Sequence, residues 1–236
     1  MEPLASPIYR IRKWTGLKGQ GQGPDSKTCT IVIGGRVRSG KSYAAVALTQ
    51  AETPNNIFYM HSDDMHDYYV DILKTCGATV ITYPEDTETL AIPDQTSYVV
   101  AEPYWNMDYT CNIHPHILKT FFTDGEKPPA TTLIQNTQFP FFFKKSLVKH
   151  VDYLALTRDS WRPNSKRIYA VFDLERIFGS FDIFYQIFEQ TTSRLFDMLV
   201  IHLSCNTVSV SASVSASTIE DCVFWHRAPA LPKLDI

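Results

Sequence analysis

The residues with the most definite chemistry are Gly35-Arg36-Val37-Arg38-Ser39-Gly40-Lys41-Ser42. Their spacing is that of a phosphate-binding loop, G-x-x-x-x-G-K-[ST]. The apolar run Thr30-Ile31-Val32-Ile33 precedes them and Tyr43-Ala44-Ala45-Val46-Ala47-Leu48 follows, so the loop joins a strand to a helix. In that setting the backbone N–H groups of 35–43 cradle phosphate oxygens, and the helix N-terminus adds partial positive charge. Lys41 is expected to reach the β- and γ-phosphates, and the Ser42 hydroxyl to ligate Mg²⁺. A nucleoside triphosphate with Mg²⁺ is therefore the expected ligand pair. Arg36 and Arg38 either add charge at the nucleotide or point outward.

Hydrolysis needs a carboxylate for the metal and a group that orients the attacking water. Glu102, at the end of Tyr98-Val99-Val100-Ala101, is the expected acid. The position before it, often Asp in a Walker B strand, is Ala101. Either Glu102 serves both base and metal, or the metal carboxylate comes from Asp63 or Asp64. The run Leu133-Ile134-Gln135-Asn136-Thr137-Gln138 ends another strand in polar residues. Gln135 is expected to hydrogen-bond the γ-phosphate or the attacking water. Arg158, Arg162, Lys166 and Arg167 cluster after a further apolar run. Arg158 or Arg162 could stabilise transition-state charge on a neighbouring subunit's nucleotide, or these could be solvated loop charges. Lys144, Lys145 and Lys149 could track a phosphate backbone, or form a solvated helix face.

Elements that would position these groups alternate along the chain. Strands are expected at 29–34, 56–60, 78–83, 97–101, 131–134, 151–157 and 196–204, with a last short one at 222–225. Helices are expected at 40–49, 65–76, 113–122, 141–150 and 180–191. This rhythm predicts an α/β fold with a mostly parallel central sheet and helices on both faces. Residues 1–27, with Arg10, Arg12, Lys13, Lys18 and several glycines, read as a flexible basic arm before a domain at 28–236. The Val/Ser/Ala-rich 208–218 reads as a mobile loop or a weak edge strand.

The 236 residues, 44% hydrophobic and 20% charged, are ordinary globular material. A net charge of −3 advertises no global attraction to nucleic acid, so any such contact needs a local patch. The five cysteines are far apart and lack a C-x-x-C pair, which favours buried reduced thiols in an intracellular setting. The seven histidines form no H-E-x-x-H, so no zinc site is assigned. No apolar run is long enough to span a membrane, and Met1–Pro7 lacks a signal-peptide layout.

The order of these motifs resembles the genome-packaging ATPases of double-stranded DNA viruses, the poxvirus-type branch of the FtsK/HerA superfamily. The likeness runs from about Thr28 to Ala228. It rests on Gly35–Ser42, on Leu133-Ile134-Gln135-Asn136 followed by Pro140, and on Val151-Asp152-Tyr153-Leu154-Ala155-Leu156-Thr157-Arg158. Phe184–Thr192 leading into Phe196–Ile201, and the closing Asp221–Ala228, extend it. The resemblance implies a RecA-like P-loop core, a homo-oligomeric ring, and Mg²⁺-dependent ATP hydrolysis driving DNA into a viral capsid. It places the protein inside the host cell, in cytoplasm or nucleus, and extends to the virion. Lys41 and Ser42 match its nucleotide site, Glu102 its catalytic acid and Gln135 its sensor; Ala101 breaks its acidic pair.

Two other readings compete. Ser62-Asp63-Asp64 could orient a nucleoside hydroxyl, as in a P-loop nucleoside-type kinase, although such an enzyme calls for an Arg-rich lid helix. A nucleotide-binding scaffold without turnover is the third.

Overall fold

The computed structural model describes residues 11–14, 28–52, 56–61, 67–75, 77–82, 92–93, 96–103, 113–125, 128, 131–159, 161–204 and 216–228. Its centre is a nine-stranded sheet: β1 (Arg12–Lys13), β2 (Cys29–Gly34), β3 (Ile57–His61), β4 (Thr79–Thr82), β5 (Tyr98–Ala101), β6 (Thr132–Thr137), β7 (Tyr153–Thr157), β8 (Asp197–His202) and β9 (Val223–Arg227). The spatial order is β1-β9-β8-β7-β2-β6-β5-β3-β4. Every pairing from β7 to β4 is parallel, whereas β8 runs antiparallel to both β7 and β9. The mostly parallel α/β, RecA-like sheet expected from the sequence is therefore present.

Parallel strands are covered on both faces, and their side chains separate by parity. On one face lie Ile31, Ile33, Tyr59, Val100, Ile134 and Ala155, covered by α1 (Lys41–Glu52) and α2 (Asp67–Thr75). On the other lie Val32, Met60, Val99, Ala101, Leu133 and Leu156. These pack on α3 (Pro115–Phe121), α5 (Arg162–Val171), α6 (Glu175–Phe178), α7 (Phe181–Thr191) and α8 (Ala216–Cys222). The short α4 (Lys145–Val148) follows a 3₁₀ turn at Pro140–Phe142 and precedes β7. The aromatic residues concentrate under α7, where Phe184 stacks on Phe188 and meets Phe178 edge-on.

Three differences from the sequence reading have local causes. Residues 11–14, expected within a flexible arm, close the sheet as β1 and as Trp14, which is 2% exposed. Trp14 donates its backbone N–H to Trp225 O at 2.8 Å and packs against Tyr153 and His226. Arg12 reaches Glu220 O and Asp221, and its guanidinium lies over the Phe224 ring. One large apolar side chain thus anchors a glycine-flanked segment. Of the basic cluster after β7, Arg158 stays in the connecting segment, whereas Arg162, Lys166 and Arg167 lie on α5, a helix the sequence reading did not assign, with Pro163 in its first turn and Ser165 and Ile168 buried. Phe141–His150 is a 3₁₀ turn followed by one α-helical turn, because Pro140 opens a separate element. Of the low-complexity segment, 216–218 begin α8 and 208–215 lie outside the described residues, as do the rest of 1–27 and 229–236.

Candidate nucleotide site

The parallel strands β2, β3, β5, β6 and β7 all end at one edge of the sheet, the edge where α/β folds bind ligands. The Gly35–Ser42 loop leaves β2 there and enters α1, whose first helical bond runs from Ala44 N–H to Gly40 O at 2.9 Å. The loop is pinned from β7. The Thr157 hydroxyl donates to Gly34 O at 3.2 Å and shares a 2.6 Å hydrogen bond with Ser39 Oγ. Gly35 is required by this contact, since a Cβ on it would fall 1.9 Å from Thr157 Oγ1. Arg38 takes a left-handed conformation, φ 61°, and the Arg36, Val37 and Arg38 side chains are exposed. The two loop arginines thus point toward solvent.

Lys41 is buried, at 7% exposure, and its ammonium donates to Arg36 O at 2.7 Å. Burial lowers its pKa to about 8, against the opposing pull of the Glu102 charge. Glu102 is 1% exposed, just beyond β5, with its backbone N–H bonded to Met60 O. Its Oε1 accepts from Asn136 Nδ2 at 2.7 Å and from the Tyr59 hydroxyl at 3.1 Å. Burial raises its pKa, while Asn136, Ser42 and Tyr59 as hydrogen-bond partners and the Lys41 charge hold it down. Lys41 and Ser42 of the phosphate loop and Glu102 at the end of β5, two stretches far apart in sequence, therefore meet in one cluster.

Strand parity decides the rest. Ala101 lies on the opposite face of β5, in the apolar cluster with Leu133 and Val99, so its side chain and that of Glu102 face different helical layers. Gln135 likewise points to that opposite layer. Its amide nitrogen is spent on Ala101 O at 3.2 Å and Asn136 O at 2.8 Å, and the structure does not bring it to Glu102. Asn136, one residue on, projects to the α1 layer and holds the carboxylate. The Asn136 carboxamide oxygen is buried without a hydrogen-bond partner among the described residues. Asn136 and Tyr59, which bond Glu102, and Thr157, which bonds the loop, are members of the candidate site that the sequence motifs do not name. Period-two alternation puts Asn136 on the Ile134 face of β6 and Gln135 on the Leu133 face, but both faces are apolar, so the sequence alone does not choose between them.

The basic candidates separate too. Arg158 is exposed directly after Thr157, at the rim of the loop. Arg162 is held within the chain: it pairs with Asp182 at 2.6 Å and lies over the Phe181 and Tyr185 rings. Arg167 covers Phe141, and Lys149 pairs with Asp124 at 2.8 Å. Lys144, Lys145 and Lys166 are exposed. Asp63 and Asp64 lie outside the described residues. Among the described residues no group of three or more His, Cys, Asp or Glu side chains converges, and no helix is long and apolar enough to cross a membrane.

Ser42 and Glu102 offer a hydroxyl and a carboxylate oxygen side by side. That donor set suits Mg²⁺, which takes one or two protein oxygens and keeps several waters.

No protein-family model matches the chain, and no curated protein matches it in sequence. Solved structures do match in fold. The genome packaging NTPase B204 from Sulfolobus turreted icosahedral virus 2, in complex with AMP, superposes with a TM-score of 0.52 at 15% identity, over 80% of this chain and 98% of that one. Its complex with sulfate gives 0.53 at 14% identity, over 82% and 98%. B204, the DNA-packaging ATPase from Sulfolobus Turreted Icosahedral Virus, gives 0.50 at 14% identity, over 82% and 100%. The likeness read from the sequence holds at the level of the fold.

Proposed function

We propose that this chain is an ATP-driven motor that moves double-stranded DNA, the activity of a viral genome-packaging ATPase. One observation carries the hydrolytic part: a buried carboxylate, Glu102, faces Lys41 and Ser42 of a phosphate loop and is held by Asn136 and Tyr59. The shared fold with packaging NTPases, whose solved complexes include AMPPCP and ATP-gammaS, supports the nucleotide and the packaging role.

In this reading the loop amides of 35–43 bind the α- and β-phosphates. Lys41, now bonded to Arg36 O, turns to the β- and γ-phosphate oxygens, where a charge partner replaces a neutral carbonyl. The Ser42 hydroxyl and the Glu102 carboxylate would hold Mg²⁺, which would supply neutralisation of phosphate charge. A water between Glu102 and the γ-phosphate attacks phosphorus in line. Its proton passes to Glu102, and the leaving oxygen stays on ADP. Burial keeps Glu102 a stronger base than a solvated carboxylate, and Asn136 fixes its rotamer. In this reading the Asn136 carboxamide oxygen, buried without a hydrogen-bond partner among the described residues, accepts the second hydrogen of that water. Gln135 then acts through Asn136, bracing the strand end from behind.

Arg158, exposed at the rim, is the residue assigned to a neighbour's nucleotide across a homo-oligomeric ring. Exposed Lys144 and Lys145 are assigned to the DNA backbone, and a ring offers such pairs repeatedly around one axis. The capsid is the expected docking partner, and the host-cell interior and virion the expected locations.

The test is phosphate release from ATP, with and without double-stranded DNA, for wild type and Lys41→Ala. DNA-stimulated release that disappears in the variant is the expected result. Release that depends on an added nucleoside and ignores DNA would overturn the motor in favour of the kinase. Binding without turnover would leave a scaffold.

A further inference from the structure

The phosphate chemistry leaves one feature beside the loop unused. Tyr43, the residue after Ser42, has its ring centroid 4.3 Å from that of Phe196, tilted by 32°. Both side chains are half-buried. Phe196 precedes β8 and has a left-handed backbone, φ 69°. That region is an outlier for a bulky aromatic, and such strain persists only where surrounding structure enforces it. The enforcement is visible on both sides. Ala228 N–H donates to Phe196 O at 3.1 Å, and the next residue, Asp197, is gripped by Arg227 at 2.6 and 2.9 Å. The result brings the Phe196 ring against the loop itself. A Cβ on Gly40 would lie 2.9 Å from Phe196 Cδ1, so the glycine there serves this approach as well as its own φ of 89°.

The direction of a bound nucleotide follows from the loop. Lys41 and Ser42 take the β- and γ-phosphate end, so the α-phosphate and nucleoside leave on the Tyr43 side. A strained aromatic paired with Tyr43 at that exit fits the flat face of a base. From the chain's own geometry we infer that Tyr43 and Phe196 form the platform on which the purine base of the bound triphosphate stacks. Phe196, 155 positions from Lys41 in sequence, becomes a binding residue of the same site. Because stacking uses the π-face, which every base has, the platform accepts adenine and guanine alike. Asp197, the nearest carboxylate in sequence, is committed to Arg227 and reads no base edge.

This inference rests on the nucleotide reading above, and the test separates the two. Calorimetry compares ATP, GTP and inorganic tripolyphosphate, each with Mg²⁺, on wild type, Phe196→Leu and Phe196→Trp. Leucine keeps apolar bulk against Gly40 but removes the aromatic face; tryptophan restores one. The expected result is that Phe196→Leu weakens ATP and GTP about tenfold, the scale of one lost stacking partner, and leaves tripolyphosphate within about twofold. Phe196→Trp recovers most of the loss. Tripolyphosphate weakened as much as ATP would make Phe196 a prop for the loop and overturn the inference. So would a wild type that binds tripolyphosphate as tightly as ATP, although the phosphate site would stand. A wild type that binds none of the three would overturn both.

Discussion

Replacing Glu102 with Gln separates the chemistry of the site from its architecture. The carboxylate accepts from Asn136 at 2.7 Å and from Tyr59 at 3.1 Å, and both bonds survive on an amide oxygen of the same shape. What disappears is the negative charge that, in the proposed mechanism, takes the water's proton. Loss of a positioned general base costs about 10²–10⁴ in rate, or about 3–5 kcal/mol of transition-state stabilisation. Nucleotide affinity is expected to change by less than about threefold, because Lys41 and the loop amides remain and a carboxylate beside the phosphates is removed. Stability is expected to move the other way. Burial raises the Glu102 pKa, so the folded state holds its proton more tightly than the unfolded chain does. The ionised form therefore costs stability at pH values above the folded pKa, and the cost is relieved as pH falls through it. Glu102→Gln should consequently melt higher than wild type near neutral pH, with the gap narrowing in acid. Single-turnover phosphate release, ATP titration and thermal melts at two pH values read all three outcomes. A variant that keeps wild-type turnover, or that is inactive only because it melts lower, would refute the assignment.

Further outcomes follow from other contacts in the fold. Thr157→Val removes a hydroxyl bonded to Ser39 and Gly34 O, and should lower stability by about 1–2 kcal/mol in denaturant melts while weakening ATP binding; unchanged affinity would mean the loop needs no pin. Lys41, held to about pH 8 by burial, should regain its proton when triphosphate arrives. Calorimetry in buffers of different ionisation enthalpy should then show about one proton taken up per ATP at about pH 9 and almost none at about pH 7; equal uptake at both would contradict the burial. The same lowered pKa means Lys41 costs stability below about pH 8, a cost relieved as pH rises toward its unfolded value. Trp14→Ala should cost about 3–5 kcal/mol and lower the melting temperature by roughly 10 °C, because Trp14 is a buried core residue; an unchanged melt would return residues 11–14 to a loose arm.

The loop between β2 and α1 was legible in the sequence because its pattern is one of local spacing: Gly35, Gly40, Lys41 and Ser42 lie within one turn of backbone. Glu102 was legible because it ends an apolar strand. Asn136 was harder, since choosing it over Gln135 requires knowing which face of β6 meets α1, and Leu133 and Ile134 are equally apolar. Thr157 and Tyr59 act across strands that only the sheet order brings together. The strand β1 is two residues long, so it carries no periodic signal. The helix α5 does carry one, in Pro163 and the spacing of Ser165, Ile168 and Phe172, but the charges of Arg162, Lys166 and Arg167 draw attention to their chemistry and not to that spacing.

The claim on which the rest depends is that a triphosphate sits on the 35–42 loop under Lys41. Calorimetric titration of ATP with Mg²⁺ into wild type and Lys41→Ala tests it directly. The account predicts saturable binding to wild type and a loss of at least about a hundredfold in the variant, the equivalent of about 2.7 kcal/mol. No heat from wild type, or equal affinity in both, would contradict it.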